Sequence, residues 1–241
     1  MFEKKQKFSY TEQRTENIKK LIVLLGISVF FLVHLVLTTF IITTREIRNT
    51  AMMPGIAPGE RVVFLSFGIR ELFPNFPLTK HLPVRRGDVV LVNIKGKTKH
   101  NILVFFADKL CRFATLGRFS FIKKDERLFL KRVIALPGDE VSMTNFVMRV
   151  KPADDMYTYT EFELSKDLYT PNIPEVPALW DKAVPFSGTM DTIVLGQDAY
   201  YVISDDRTNT NDSRTWGQIQ AKTIAAKALF RYWPVTKFGR I

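Results

Sequence analysis

The chain has 241 residues, 46% of them hydrophobic, which is enough for one sizeable core with a smaller lobe attached but not for two large independent domains. Its single cysteine, Cys111, excludes an internal disulfide. The three scattered histidines (His34, His81 and His100) offer no zinc-ligand spacing, so no structural metal and no cofactor are expected.

The formal charge is +11 and stays at +8 when residues 1–20 are set aside, a surplus that suits nucleic acid or anionic lipid headgroups equally well. The next segment decides between them. From Leu21 to Ile42 the chain reads LIVLLGISVFFLVHLVLTTFII without one Asp, Glu, Lys or Arg. As a helix it would extend about 33 Å, enough to cross a bilayer. The apolar run is too long for a cleaved export signal, and the following TTREIRN lacks a small-x-small site, so the segment is read as an uncleaved signal anchor.

Lys4, Lys5, Lys7, Arg14, Lys19 and Lys20 precede this run, while only Arg45 and Arg48 follow closely. That bias places residues 1–20 in the cytoplasm as a tail, 21–43 across the membrane, and 44–241 outside as the main domain. With the basic domain facing away from the cytoplasm and no nucleic-acid motif in it, a nucleic-acid partner is excluded and a bilayer with anionic headgroups is expected. His34, inside the span, is read as a neutral histidine packed against a neighbouring helix or snorkelling, in preference to a functional group.

Beyond the anchor come short runs rich in β-branched and aromatic residues, RVVFLSF, DVVLVNI, RLFLKRVIAL, DEVSMTN and AYYVISDD, separated by turn-forming residues. They predict a mainly β domain. Two insertions interrupt it, at about 96–126 and at 151–198. The first contains NILVFFADKLCRFATLGRFSFI, whose mix of apolar and basic positions suits a helix lying in the membrane interface or one that covers the sheet. The second includes TPNIPEVP and predicts a loop-rich lobe.

Five motifs stand in order after the anchor: Ala51-Met52-Met53-Pro54, then Arg86-Gly87-Asp88-Val89-Val90, then Lys131 to Asp139 (KRVIALPGD), then Ser204-Asp205-Asp206-Arg207, and Asp212-Ser213-Arg214-Thr215-Trp216-Gly217. Together they resemble the type I signal peptidases, the serine-lysine peptidases that carry S-M-x-P, RGDVV, KRVIALPGD, GD-N-R and DSR-x-WG in that sequence. The resemblance implies a signal-peptidase-like β-fold on the outer side of the cytoplasmic membrane. It also implies partners: signal peptides of exported precursors, cut after small residues, with an active signal peptidase or a translocon as a possible neighbour.

The family's chemistry pairs a serine nucleophile with a lysine base. A lysine acts as a base near neutrality only where burial lowers its pKa. Lys131 takes that position, and strand alternation puts it on one face with Phe129 and Val133. The nucleophile position falls on Ala51, whose methyl has no lone pair, so the chain as written is expected to be inactive.

Asn49 falls where the family carries an oxyanion-binding hydroxyl, and an amide can donate there instead. Thr50 is expected to face away from Lys131, on the premise that this segment is extended. Thr210 matches the hydroxyl that orients the lysine. Asp205, Arg207, Asp212 and Arg214 are read as a network bracing the lysine's strand. Met52, Met53 and Pro54 are expected to line the substrate cleft, with Phe64, Leu65, Phe67 and Phe73 near it, the phenylalanines dipping into lipid.

Asn49, Gly55 and Ser204 depart from the family pattern as well as Ala51, which favours a naturally diverged homologue. The alternative is an active signal peptidase, either an engineered Ser-to-Ala form or one with a substitute nucleophile.

Overall fold

The computed structural model describes residues 10–36, 42–67, 84–94, 104, 107–108, 111, 128–175 and 188–241. Helix α1 runs from Tyr10 to Val36. Its apolar side chains from Ile18 to Val33 are exposed, and its Gln13–His34 stretch, of mean hydropathy 1.7, is long and apolar enough to cross a membrane. The helix therefore begins well before Leu21. At the other end Ile42 and Thr43, expected as the last residues of the span, instead open strand β1 (Ile42–Glu46) and pair with Leu65 and Phe64.

The rest is mainly β, as its sequence pattern predicts. An eight-stranded sheet contains β1, β2 (Arg61–Ser66), β3 (Val89–Asn93), β4 (Leu128–Ala135), β9 (Ala199–Ile203), β10 (Ile219–Gln220), β11 (Ile224–Trp233) and β12 (Gly239–Arg240). Its order is β1-β2-β11-β3-β4-β9-β10, with β12 beside β11. All its pairings are antiparallel. A four-stranded sheet, ordered β7-β6-β5-β8, is built from β5 (Glu140–Thr144), β6 (Val147–Lys151), β7 (Tyr159–Thr160) and β8 (Met190–Val194). The lobe expected from residue 151 thus begins earlier, with β5, and is a sheet as well as loops.

The centre of the large sheet is covered on both faces, and β3 is buried along its whole length. Val89 and Leu91 pack on one side with Met52, Ile56, Phe64 and Leu130, while Val90 and Val92 pack on the other with Val133, Val202 and Ile224. A third cluster joins Val141, Met148 and Val150 of the small sheet to Ile134, Tyr201 and Ile203. Phe64 is fully buried in the first cluster and is removed from any contact with lipid; Phe67 is half-buried. Phe73 and most of the 101–122 segment, expected as an interfacial or a covering helix, lie outside the described residues.

Antiparallel pairing aligns one row across five strands: Ile42 opposite Leu65, Leu65 opposite Lys227, Lys227 opposite Val90, and Val90 opposite Lys131. The row starts six residues after the end of α1 and finishes at the candidate base.

Candidate active site

Lys131 lies in β4, whose alternation puts Phe129, Lys131 and Val133 on one face. Trp216 covers that face. Its ring centroid stands 5.2 Å from that of Phe129, and the Lys131 Nζ is 5.7 Å from it. Lys131 is only 1% exposed. Burial is the largest influence on its ammonium and pulls the pKa from 10.5 to about 8; Asp212 pushes back upward, Arg214 works downward again, and Asp205 and Asp206 raise it.

The Lys131 Nζ donates to the Ser204 Oγ at 2.7 Å, and that hydroxyl donates in turn to the Asp212 Oδ2 at 2.9 Å. The orienting hydroxyl found beside the lysine is therefore Ser204, the first residue after β9, and not Thr210. Thr210 is half-buried, and its backbone carbonyl accepts from the Thr215 hydroxyl. The reason is positional: β9 pairs directly with β4, with Ile203 opposite Arg132, so the residue after Ile203 arrives beside Lys131. Ser204 stood out in the sequence only as a departure from glycine, and its oxygen was the signal available.

Asp212 caps the one-turn helix Ser213–Trp216, accepting from the Arg214 backbone N–H. Burial works to raise the Asp212 carboxyl, but hydrogen bonds and charge from Arg214, with the Ser204 N–H, hold it below the usual carboxylate range. Arg214 also donates to the carbonyls of Arg207 and Asn209, so one guanidinium clasps the loop that follows Ser204.

The four charges expected to form one network divide among three ion pairs. Asp212 pairs with Arg214 at 2.8 Å. Asp205 takes a two-pronged bond from Arg132, at 2.8 and 2.6 Å, with both side chains buried. Arg207, fully buried, pairs with Glu161 at 2.5 Å. Glu161 also accepts from the Tyr169 hydroxyl, and the Tyr169 ring lies 3.8 Å from the Arg132 guanidinium carbon. Arg132, Glu161 and Tyr169 were missed in sequence: Arg132 offered its charge beside Lys131, but nothing local in the lobe marks Glu161 or Tyr169 as partners of a distant loop.

Residues 50–55 form turns, not the extended segment on which the orientation of Thr50 was based: the Met53 N–H bonds the Thr50 carbonyl and the Ile56 N–H bonds the Met52 carbonyl. Ala51 is buried, while Asn49 and Thr50 are exposed. The Ala51 carbonyl accepts from the Asp206 N–H at 3.0 Å, which ties the turn to the loop two residues beyond Ser204. Met53 and Pro54 are exposed, but Met52 is fully buried in the core and is not part of an open cleft wall. Among the described residues no three His, Cys, Asp or Glu side chains converge as metal ligands.

This arrangement can hold a desolvated, partly neutral amine against a hydroxyl, but it offers no hydroxyl at position 51. Comparison with known proteins matches residues 17–233 to the family described as signal peptidase, peptidase S26. Signal peptidase IB of Staphylococcus aureus is 27% identical over 217 residues, covering 89% of this chain and 90% of that protein. A probable signal peptidase I-2 of Synechocystis is 24% identical over 207 residues, covering 83% of this chain and 67% of that protein. With the family's match extending from the apolar helix to the end of β11, the chain belongs to the signal peptidase S26 family.

Proposed function

We propose that this protein binds the signal peptides of exported precursors at the outer surface of the cytoplasmic membrane and, with Ala51 at the nucleophile position, does not cut them. The basic tail before α1 supports a cytoplasmic N-terminus, and α1 serves as the single-pass anchor. An active signal peptidase or a translocon is the kind of neighbour to which such a binder would hand its peptide.

The observation that carries this reading is the buried setting of Lys131, bonded to the Ser204 hydroxyl, in a chain whose family nucleophile position is an alanine. With a pKa of about 8, roughly a tenth of Lys131 is neutral at pH 7. With a serine at position 51, the neutral amine could take the hydroxyl proton as the oxygen attacked the peptide carbonyl. An alanine offers neither proton nor lone pair.

A second reading has one observation in its favour: the Ser204 hydroxyl lies 2.7 Å from Lys131, which would suit an active enzyme with a substitute nucleophile. Its complete burial and its bond to Asp212 argue for an orienting role instead.

The test is cleavage of a precursor in liposomes by the chain and by Ala51→Ser, the latter also combined with Ser204→Ala or Thr210→Val. Expected is no cutting by the chain and cutting by Ala51→Ser, with an activity midpoint near pH 8 on its rising limb. Adding Ser204→Ala should lower that rate about tenfold or more, within the scale of a misplaced catalytic group, while Thr210→Val leaves it within about twofold. Cutting by the unmodified chain, lost in Ser204→Ala, would establish the second reading in place of the first.

A further inference from the structure

Outside the Lys131 setting the molecule has a cavity of about 460 Å³ lined by Val84, Arg85, Arg86, Gly87, Asp88, Lys166, Asp167, Lys227 and Arg240. Five of these residues are cations and two are anions. Two cations are engaged: Arg86 pairs with Asp139 at 2.8 Å and Lys227 with Asp88 at 2.6 Å. The side chains of Arg85, Lys166 and Arg240 have no ion pair with any other described residue and face only Asp167 as a remaining opposite charge on the lining. The lining is therefore a rigid frame with an uncompensated positive surplus.

The frame is well fixed. Asp88 accepts from the Arg85 N–H as well as from Lys227, and the Gly87 N–H bonds the Val133 carbonyl. Arg132 donates to the Gly87 carbonyl. Three exposed cations lining one concave space over that fixed frame suit a compact anion that accepts several hydrogen bonds, which describes a phosphate ester.

Position narrows the source of that ester. Lys227 shares its cross-strand row with Leu65 and Ile42, so two strand spacings, about 10 Å, separate it from Ile42. Six peptide steps, spanning at most about 20 Å, link Ile42 to the end of α1. Next in sequence to the lining residues Lys166 and Asp167, the apolar Leu168 is 96% exposed.

We propose that this cavity is a phosphate-ester site that takes the headgroup of an anionic lipid at the membrane surface. The lipid source rests on the reading of α1 as a membrane anchor. The cations supply the charge complement, and Leu168 follows the ester toward the acyl region. This is a defined headgroup seat, distinct from a diffuse attraction of the whole basic surface.

Calorimetric titration of the full chain in a neutral detergent tests it, with dihexanoyl phosphatidylglycerol, dihexanoyl phosphatidylcholine and inorganic phosphate as probes. Saturable binding of the phosphatidylglycerol is expected, with little of the phosphatidylcholine. The triple variant Arg85→Gln, Lys166→Gln, Arg240→Gln should lose about 100-fold in affinity, at roughly fivefold per cation. A control triple variant at exposed cations away from the cavity, Arg61→Gln, Arg149→Gln, Lys222→Gln, should lose less than about threefold in total if the seat is specific.

Equal losses in the two variants, or no saturable binding of any probe, overturn the proposal. Phosphate bound as tightly as the phosphatidylglycerol, and lost in the same variant, keeps the anion site and overturns its lipid source. Carbonate extraction of membranes tests the anchor separately: a chain that washes off the membrane yet binds the probe refutes the anchor reading and leaves the pocket standing.

Discussion

Lys131 is kept near neutrality against the pull of three carboxylates. Asp205, Asp206 and Asp212 all favour its charged form, yet desolvation under Trp216 and the opposing charge of Arg214 leave its pKa at about 8. Such a lysine weakens the fold that holds it. Below pH 8 both folded and unfolded chains carry the proton, and the cost of burying the charge is fully present. Between pH 8 and 10.5 the unfolded chain binds a proton that the folded one does not, so stability rises with pH across that window and gains nothing above it. The full effect is about 3 kcal/mol, from a shift of roughly two and a half pKa units. Lys131→Met, which keeps the volume and removes the charge, is expected to be more stable than the parent at pH 7 by up to about 3 kcal/mol. In denaturant melts the difference should shrink as pH rises toward 10.5. A difference that stays constant over that range would mean that Lys131 is not held with a lowered pKa.

Strand β4 divides the work of its neighbouring residues by alternation: Lys131 faces Trp216 on one side, while Arg132 reaches Asp205 and stacks on Tyr169. The sequence pattern made this strand readable, because eight residues from Leu128 to Ala135 carry the β-branched and apolar signature and Gly138, at φ +86°, marks the turn before β5. The motif order likewise singled out Lys131 and Ala51. What it could not show was which hydroxyl meets the lysine, since that depends on the register of β9 against β4, or the lobe's Glu161 and Tyr169, whose partners are distant in the chain. Composition likewise hides the start of β1, as Ile42 and Thr43 are apolar or neutral enough for a membrane span yet pair with β2. Gly87 shows how closely the lobe is fitted to the sheet. It has φ +89°, and a methyl added there would overlap the Ser165 hydroxyl. Gly87→Ala is expected to cost about 1–3 kcal/mol through the positive φ and the displaced lobe loop. Ser165→Ala in the same chain should recover only part of the loss, because the backbone strain remains. Full recovery in thermal melts would assign the whole cost to the clash.

At the scale of the whole molecule, an apolar helix precedes the sheet. α1 exposes its apolar side chains along the stretch that can cross a bilayer, and the sheet begins six residues beyond it. The row from Ile42 through Leu65, Lys227 and Val90 to Lys131 sets the candidate base about 19 Å from Ile42, four strand spacings across one sheet. On the proposed function, an extended peptide rooted in the bilayer would span that distance to reach the base. This geometry is useful only if the domain lies on the side where exported chains emerge, and the cluster of cations before α1 argues for that side. With Cys111 the single cysteine, orientation can be read chemically in cells carrying Cys111→Ser. Met156→Cys, at a site 87% exposed on the lobe, should react with a membrane-impermeant maleimide added outside intact spheroplasts, while Lys5→Cys should react only after lysis. The reverse pattern would put the main domain in the cytoplasm, where emerging signal peptides could not meet Lys131, and would remove the proposed function while leaving the family assignment intact.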